Sequence, residues 1–93
     1  MKTIQFDFSA ITNYNDFYSI LSLKIDLPEH FGKNLDALYD VITGDIELPL
    51  RFEFHRIDLS QLDAFDALIA TLEEAAEEID GFEFSYYMEQ YEV

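Results

Sequence analysis

The 93-residue sequence predicts a two-layer α/β domain: a three-stranded parallel sheet of strand order 1-2-3 with helices packed mainly on one face. Three observations predict it. Three short segments alternate apolar and polar residues with period two, so each has one apolar face. Helical periodicities separate them in the order β-α-α-β-α-β, and strands joined through helices pair in parallel. Right-handed crossovers that keep their helices on one face step the same way each time, which orders the strands 1-2-3.

The first strand spans residues 2–8, with Ile4, Phe6 and Phe8 on one side and Thr3, Gln5 and Asp7 on the other. Asn13 then opens a helix over 13–24, Asp16 standing three positions on. Phe17, Ile20, Leu21 and Leu23 follow at roughly helical spacing, and Pro28 bars continuation. A short helix runs over 34–43, with Asn34 as N-cap and Gly44 as the residue past its end. Its apolar side holds Leu35, Leu38, Val41 and Ile42; Asp36, Asp40 and Thr43 share another side, with Tyr39 on the border. The second strand covers 50–54 after Pro49. Ser60 with Asp63 opens the longest helix, 61–79, whose apolar stripe is Leu62, Phe65, Leu68, Ile69, Leu72, Ala76 and Ile79. Glu73, Glu74, Glu77 and Glu78 crowd its last half, where the macrodipole prefers cations, and Gly81 ends it. The third strand is 82–88, with Phe82, Phe84, Tyr86 and Met88 on one face and a frayed tail, 89–93, behind it. No linker, repeat or low-complexity tract interrupts the chain, which reads as one domain over 1–93.

Charge excludes much. Twenty acidic residues face five basic ones, a net charge of -15. Nucleic-acid phosphates and anionic membrane surfaces both require clustered Lys and Arg. The partners such a chain suits are basic proteins or cations. Nine Phe and six Tyr supply a core, so the acidity does not signal disorder. The absence of cysteine removes disulfides, thiol catalysis and Cys-ligated zinc. Gln5 and Asp7 interrupt what would be the apolar region of a leader, and no apolar run approaches the ~18 residues of a membrane span. The expectation is a cytoplasmic protein.

Catalytic chemistry finds no foothold. There is no glycine-rich phosphate loop, and His30 and His55 lack ligand spacing. The serines have no nucleophile context, and the carboxylates are too numerous for any pair to be diagnostic. The reading is therefore no enzyme, no catalytic residue, no metal and no cofactor. Asp36 and Asp40 are like charges at i,i+4, a spacing that costs a helix a few tenths of a kcal/mol.

The segment Leu27-Pro28-Glu29-His30-Phe31-Gly32-Lys33-Asn34-Leu35-Asp36-Ala37-Leu38-Tyr39-Asp40 closely resembles the signature of the barstar family, intracellular inhibitors of ribonucleases. The likeness continues through Val41-Ile42-Thr43-Gly44 to Glu47-Leu48-Pro49-Leu50, and its G-x-N-L-D-A-L-x-D core is specific. The resemblance implies the barstar-like fold. It also implies a protein that blocks a basic ribonuclease, or a related nuclease toxin, with an acidic helix and its preceding loop standing in for RNA phosphates. Residue by residue it implies partner contacts from His30, Asn34, Asp36, Tyr39, Asp40, Thr43 and Gly44, and from a glutamate on the last helix best matched by Glu74. The implied state is a monomer when free, binding a protein and neither nucleic acid nor membrane. His30 and Asp45 stand where the family carries aromatics, and aromatics are common hot spots, so these two departures point to a changed partner. The alternative is a general acidic interaction module or DNA mimic with a non-nuclease basic partner.

Overall fold

The computed structural model describes residues 1–89. Strands β1 (Lys2–Asp7), β2 (Leu50–Ile57) and β3 (Phe82–Met88) form one parallel sheet in the order β1-β2-β3. Helices α1 (Tyr14–Lys24), α2 (Leu35–Asp40), α3 (Leu59–Ala64) and α4 (Asp66–Glu78) connect them, as the period-two segments and their helical spacers predict. A 3₁₀ turn, Phe8–Ala10, follows β1, and Phe8 belongs to it rather than to the strand.

One core holds the layers together. Ile4 and Phe6 of β1, Leu50, Phe52 and Phe54 of β2 and Phe82 of β3 turn to the same side. There they meet Phe17, Tyr18 and Leu21 of α1, Leu38 of α2, and Leu68, Ile69, Leu72 and Ala75 of α4. The helices thus cover one face. On the other face polar side chains pair with each other. Arg51 donates to Glu53 and Glu83, each at 2.8 Å, and to the hydroxyl of Ser85 at 2.8 Å. His55 lies 3.0 Å from Glu53 and stacks on Tyr87 with ring centres 5.0 Å apart. His55 is thus a half-buried residue of the sheet's polar face, two positions before the end of β2.

The Arg51 guanidinium, and after it His55, hold the Glu53 carboxyl below its ordinary 4.5. A carboxyl depressed on folding stabilises above its unfolded pKa, and that contribution is lost as pH falls through the folded value. Glu53→Gln is therefore expected to lose less stability than the wild type between pH 5 and pH 3, measured by thermal melts across that window.

Four elements depart from the sequence expectation. Strand β2 runs on to Ile57 because a bulge resets its alternation: Phe54 pairs with Tyr86 but Ile57 with Met88. Arg56 takes a left-handed φ of 59°, and this returns Ile57 to the core, where it is fully buried. The expected single helix over 61–79 is two helices. Asp58, not Ser60, is the N-cap: it accepts from the Gln61 amide while the Gln61 side chain accepts from the Asp58 amide. Gln61 also donates to the carbonyls of Phe8 and Ile11, tying α3 to the end of β1. The break comes at Phe65, whose buried ring packs edge-on against Phe8 and at a tilt against Tyr14. Asp58→Ala is expected to cost about 1 kcal/mol of stability, read from denaturant midpoints.

The short helix also differs. It is α-helical only to Asp40 and continues as a π-turn, Val41–Asp45, closed by the Ile46 amide on the Val41 carbonyl at 3.0 Å. Gly44 lies inside this turn and is not a left-handed helix terminator; Gly81, at φ 94°, lies past the last residue of α4, in the turn that the Phe82 amide closes on the Ile79 carbonyl at 3.2 Å. Finally, helices cover only the first half of β3, so Tyr86 and Met88 are exposed, as is Leu23 on α1. The Glu89 amide bonds to the Ile57 carbonyl at 2.9 Å. The rest of the tail read as frayed, residues 90–93, lies outside the described residues.

Candidate functional site

The G-x-N-L-D-A-L stretch has a local physical logic. The Asn34 side chain accepts from the Ala37 amide at 2.8 Å and so starts α2. Gly32 makes room for it: a Cβ there would meet the Asn34 side-chain amide at 3.0 Å. Leu38, Val41 and Ile42 are buried and pin the helix to the core. With that side anchored, Asp36 and Asp40 stand exposed on the outside, and Tyr39 is half-buried between α2 and α4. Thr43 donates from its hydroxyl to the Tyr39 carbonyl at 2.9 Å, bracing the start of the π-turn.

Helix α4 packs beside α2, and the two form an open cleft of about 450 Å³ lined by Leu35, Asp36, Tyr39, Asp40, Thr71 and Glu74. Carboxylates from both helices therefore share one surface. The Tyr39 hydroxyl donates to Glu78, one turn beyond Glu74. That bond, with desolvation and the charges of Glu78 and Glu74, pushes the phenol up to about 12. Tyr39 is thus a neutral donor at any physiological pH.

Of the residues expected to meet a partner, the structure brings Asp36, Tyr39, Asp40 and Glu74 together around this cleft. Thr43 and Gly44 are exposed on the turn that follows α2. Asn34 is exposed but already committed to its cap. His30 is exposed on the loop before α2 and does not line the cleft; the neighbouring Phe31 is half-buried against Tyr18, with ring centres 5.9 Å apart. The side chain of Asp45 lies outside what the structure describes.

Sequence reasoning missed Leu35, Thr71 and Glu78. A signal for the last two existed, since 71, 74 and 78 recur at i+3 and i+7 on one helix face. Among the described residues no group of three or more His, Asp or Glu side chains could hold a metal ion. None of the described helices is long and apolar enough to cross a membrane.

Comparison with known proteins agrees with this architecture. The family described as "Barstar (barnase inhibitor)" matches residues 1–89. A protein of Bacillus subtilis (strain 168) named "Putative ribonuclease inhibitor YrdF" is 34% identical over 84 residues, covering 85% of this chain and 90% of that protein. A match over 1–89, a relative alike over most of both chains, and a parallel sheet with α2 propped beside α4 leave one assignment: the chain belongs to the barstar family.

Proposed function

We propose that this protein inhibits a basic ribonuclease by seating α2 and its flanking loop and turn in the active site, carboxylates replacing RNA phosphates. One observation carries the reading. Asp36 and Asp40 on α2 and Glu74 on α4 line a single cleft at the surface. Its like-charge spacings work against folding: Asp36 with Asp40, and Glu74 with Glu78, are i,i+4 pairs that each cost a few tenths of a kcal/mol. A basic pocket built to hold phosphate supplies the missing counter-charge, with charge-assisted hydrogen bonds to the carboxylates. Asp40 is the central contact, Asp36 and Glu74 flank it, and His30, Asn34, Tyr39, Thr43 and Gly44 complete the surface.

The family description and the relative's name both support a ribonuclease as partner. Focus separates this reading from a diffuse acidic module, because acids of two helices meet at one cleft.

Charge also dictates kinetics. A net charge of -15 approaching a basic protein steers the encounter. Association with barnase, or with a basic nuclease captured by this protein, is expected at about 10⁸ M⁻¹s⁻¹ at low salt, a range for which complexes of this family are reference cases. Stopped-flow rates should fall steeply between 0.01 M and 1 M salt, as the Debye length shrinks from ~30 Å to ~3 Å, with the off-rate moving much less. An association rate indifferent to salt would remove the steering mechanism.

A further inference from the structure

We propose that Glu78 is a positioning residue: it clamps α2 to α4 through Tyr39 and does not act as a charge toward the partner. This rests on the reading that α2 is the contact surface. Helix α2 has six residues, too few to hold its shape alone. Its inner side is fixed by Leu38, but its outer side faces an electrostatic problem, since Asp36 and Asp40 line one cleft with Glu74 of the neighbouring helix. Their repulsion pushes α2 away from α4. Among the described residues, one side-chain hydrogen bond joins the two helices, from the Tyr39 hydroxyl to Glu78 across 39 positions of sequence.

The two glutamates of α4 thereby divide their tasks. Glu78 is taken up by the phenol, and Tyr39 stays protonated to serve it. Glu74, one turn earlier, lines the cleft with no hydrogen bond or ion pair among the described residues and is left for the partner. Holding Tyr39 also fixes the part of the cleft that it lines beside Asp36 and Asp40, so the surface is organised before the encounter.

The test uses the conservative variant. Glutamine keeps an acceptor for the phenol and removes the charge; alanine removes both. Hydrogen exchange of the α2 amides in the free protein, and dissociation constants with barnase as the probe, are measured for wild type, Glu78→Gln, Glu78→Ala and Tyr39→Phe. The clamp predicts that Glu78→Gln stays within about twofold of wild type in both readouts. Glu78→Ala and Tyr39→Phe should each speed α2 exchange about threefold to tenfold, as loss of one hydrogen bond allows, and weaken binding similarly. The double variant Glu78→Ala/Tyr39→Phe should lose no more than either single one. Glu78→Gln behaving like Glu78→Ala in binding while exchange stays slow would overturn the proposal and make Glu78 a direct contact. Unchanged exchange in Glu78→Ala would also overturn it. A wild-type protein that does not bind barnase would count against the inhibitor reading for that nuclease, and the exchange measurements would still decide the clamp.

Discussion

Asp40→Ala is expected to weaken the complex with the partner ribonuclease by more than about 2 kcal/mol, roughly thirtyfold in Kd, while leaving the melting temperature unchanged or slightly raised. The affinity half follows from where Asp40 stands. It is the last residue of α2, exposed, on the side away from the buried Leu38 and Ile42, and it lines the cleft shared with Glu74. A pocket that holds phosphate clusters Lys and Arg, which repel one another when empty. A carboxylate buried among them forms charge-assisted bonds in a low local dielectric. Its removal leaves those cations buried and unpaired, and truncating one member of such a pair costs about 2–5 kcal/mol, a range to which complexes of this family have themselves contributed. The stability half follows from the helix: without Asp40 the repulsion with Asp36, one turn earlier, disappears. Glu73 is the matched control, about 100° round α4 from Glu74 and outside the cleft. Equal small losses for Asp40→Ala and Glu73→Ala in titration calorimetry would favour a diffuse acidic surface over a focused plug.

Phe54→Ala should have the largest effect on folding, about 3–5 kcal/mol. Phe54 is fully buried at the centre of the central strand. Its ring touches four others, Phe8 at 4.5 Å, Phe84 at 4.9 Å, Phe6 at 5.5 Å and Phe17 at 5.8 Å between centres. Those four come from the turn after β1, from β3, from β1 and from α1, so the cavity opens between the sheet and the helix layer. Domains of this size have total stabilities of about 5–15 kcal/mol, so the variant sits near the folding threshold. Its melting temperature should drop on the order of 20 °C. A drop of only a few degrees would mean that the aromatic cluster repacks around the gap.

The sheet was legible because its information is local. Ile4 and Phe6, Leu50, Phe52 and Phe54, and Phe82 repeat every second residue, and few Gly or Pro blur the pattern. What escaped depends on contacts between distant segments. Phe65 fits the helical stripe, yet its docking on Phe8 and Tyr14 breaks the helix there. Asp58 with Gln61 is as good a start signal as Ser60 with Asp63; what favours it is the pair of carbonyls, of Phe8 and Ile11, that Gln61 reaches across the fold. The bulge at Arg56 was hidden because alternation simply stops at His55, and no local rule says that it resumes out of phase at Ile57. Within the site, Asn34 as N-cap and the apolar spacing of Leu35 and Leu38 located the start of α2, while its change to a π-turn after Asp40 was not legible. The Tyr39–Glu78 contact spans 39 residues and is visible only once α2 lies beside α4.

The most direct measurement is the inhibition of RNA cleavage at several substrate concentrations, with barnase or a captured basic ribonuclease as the enzyme. A protein that fills the active site with α2 gives an apparent inhibition constant rising linearly with RNA concentration across a range that spans KM, and a one-to-one end point. Asp40→Ala should raise that constant at least about thirtyfold at every concentration. Binding that leaves cleavage intact, or inhibition unaffected by RNA concentration, would place the contact outside the active site and contradict the account.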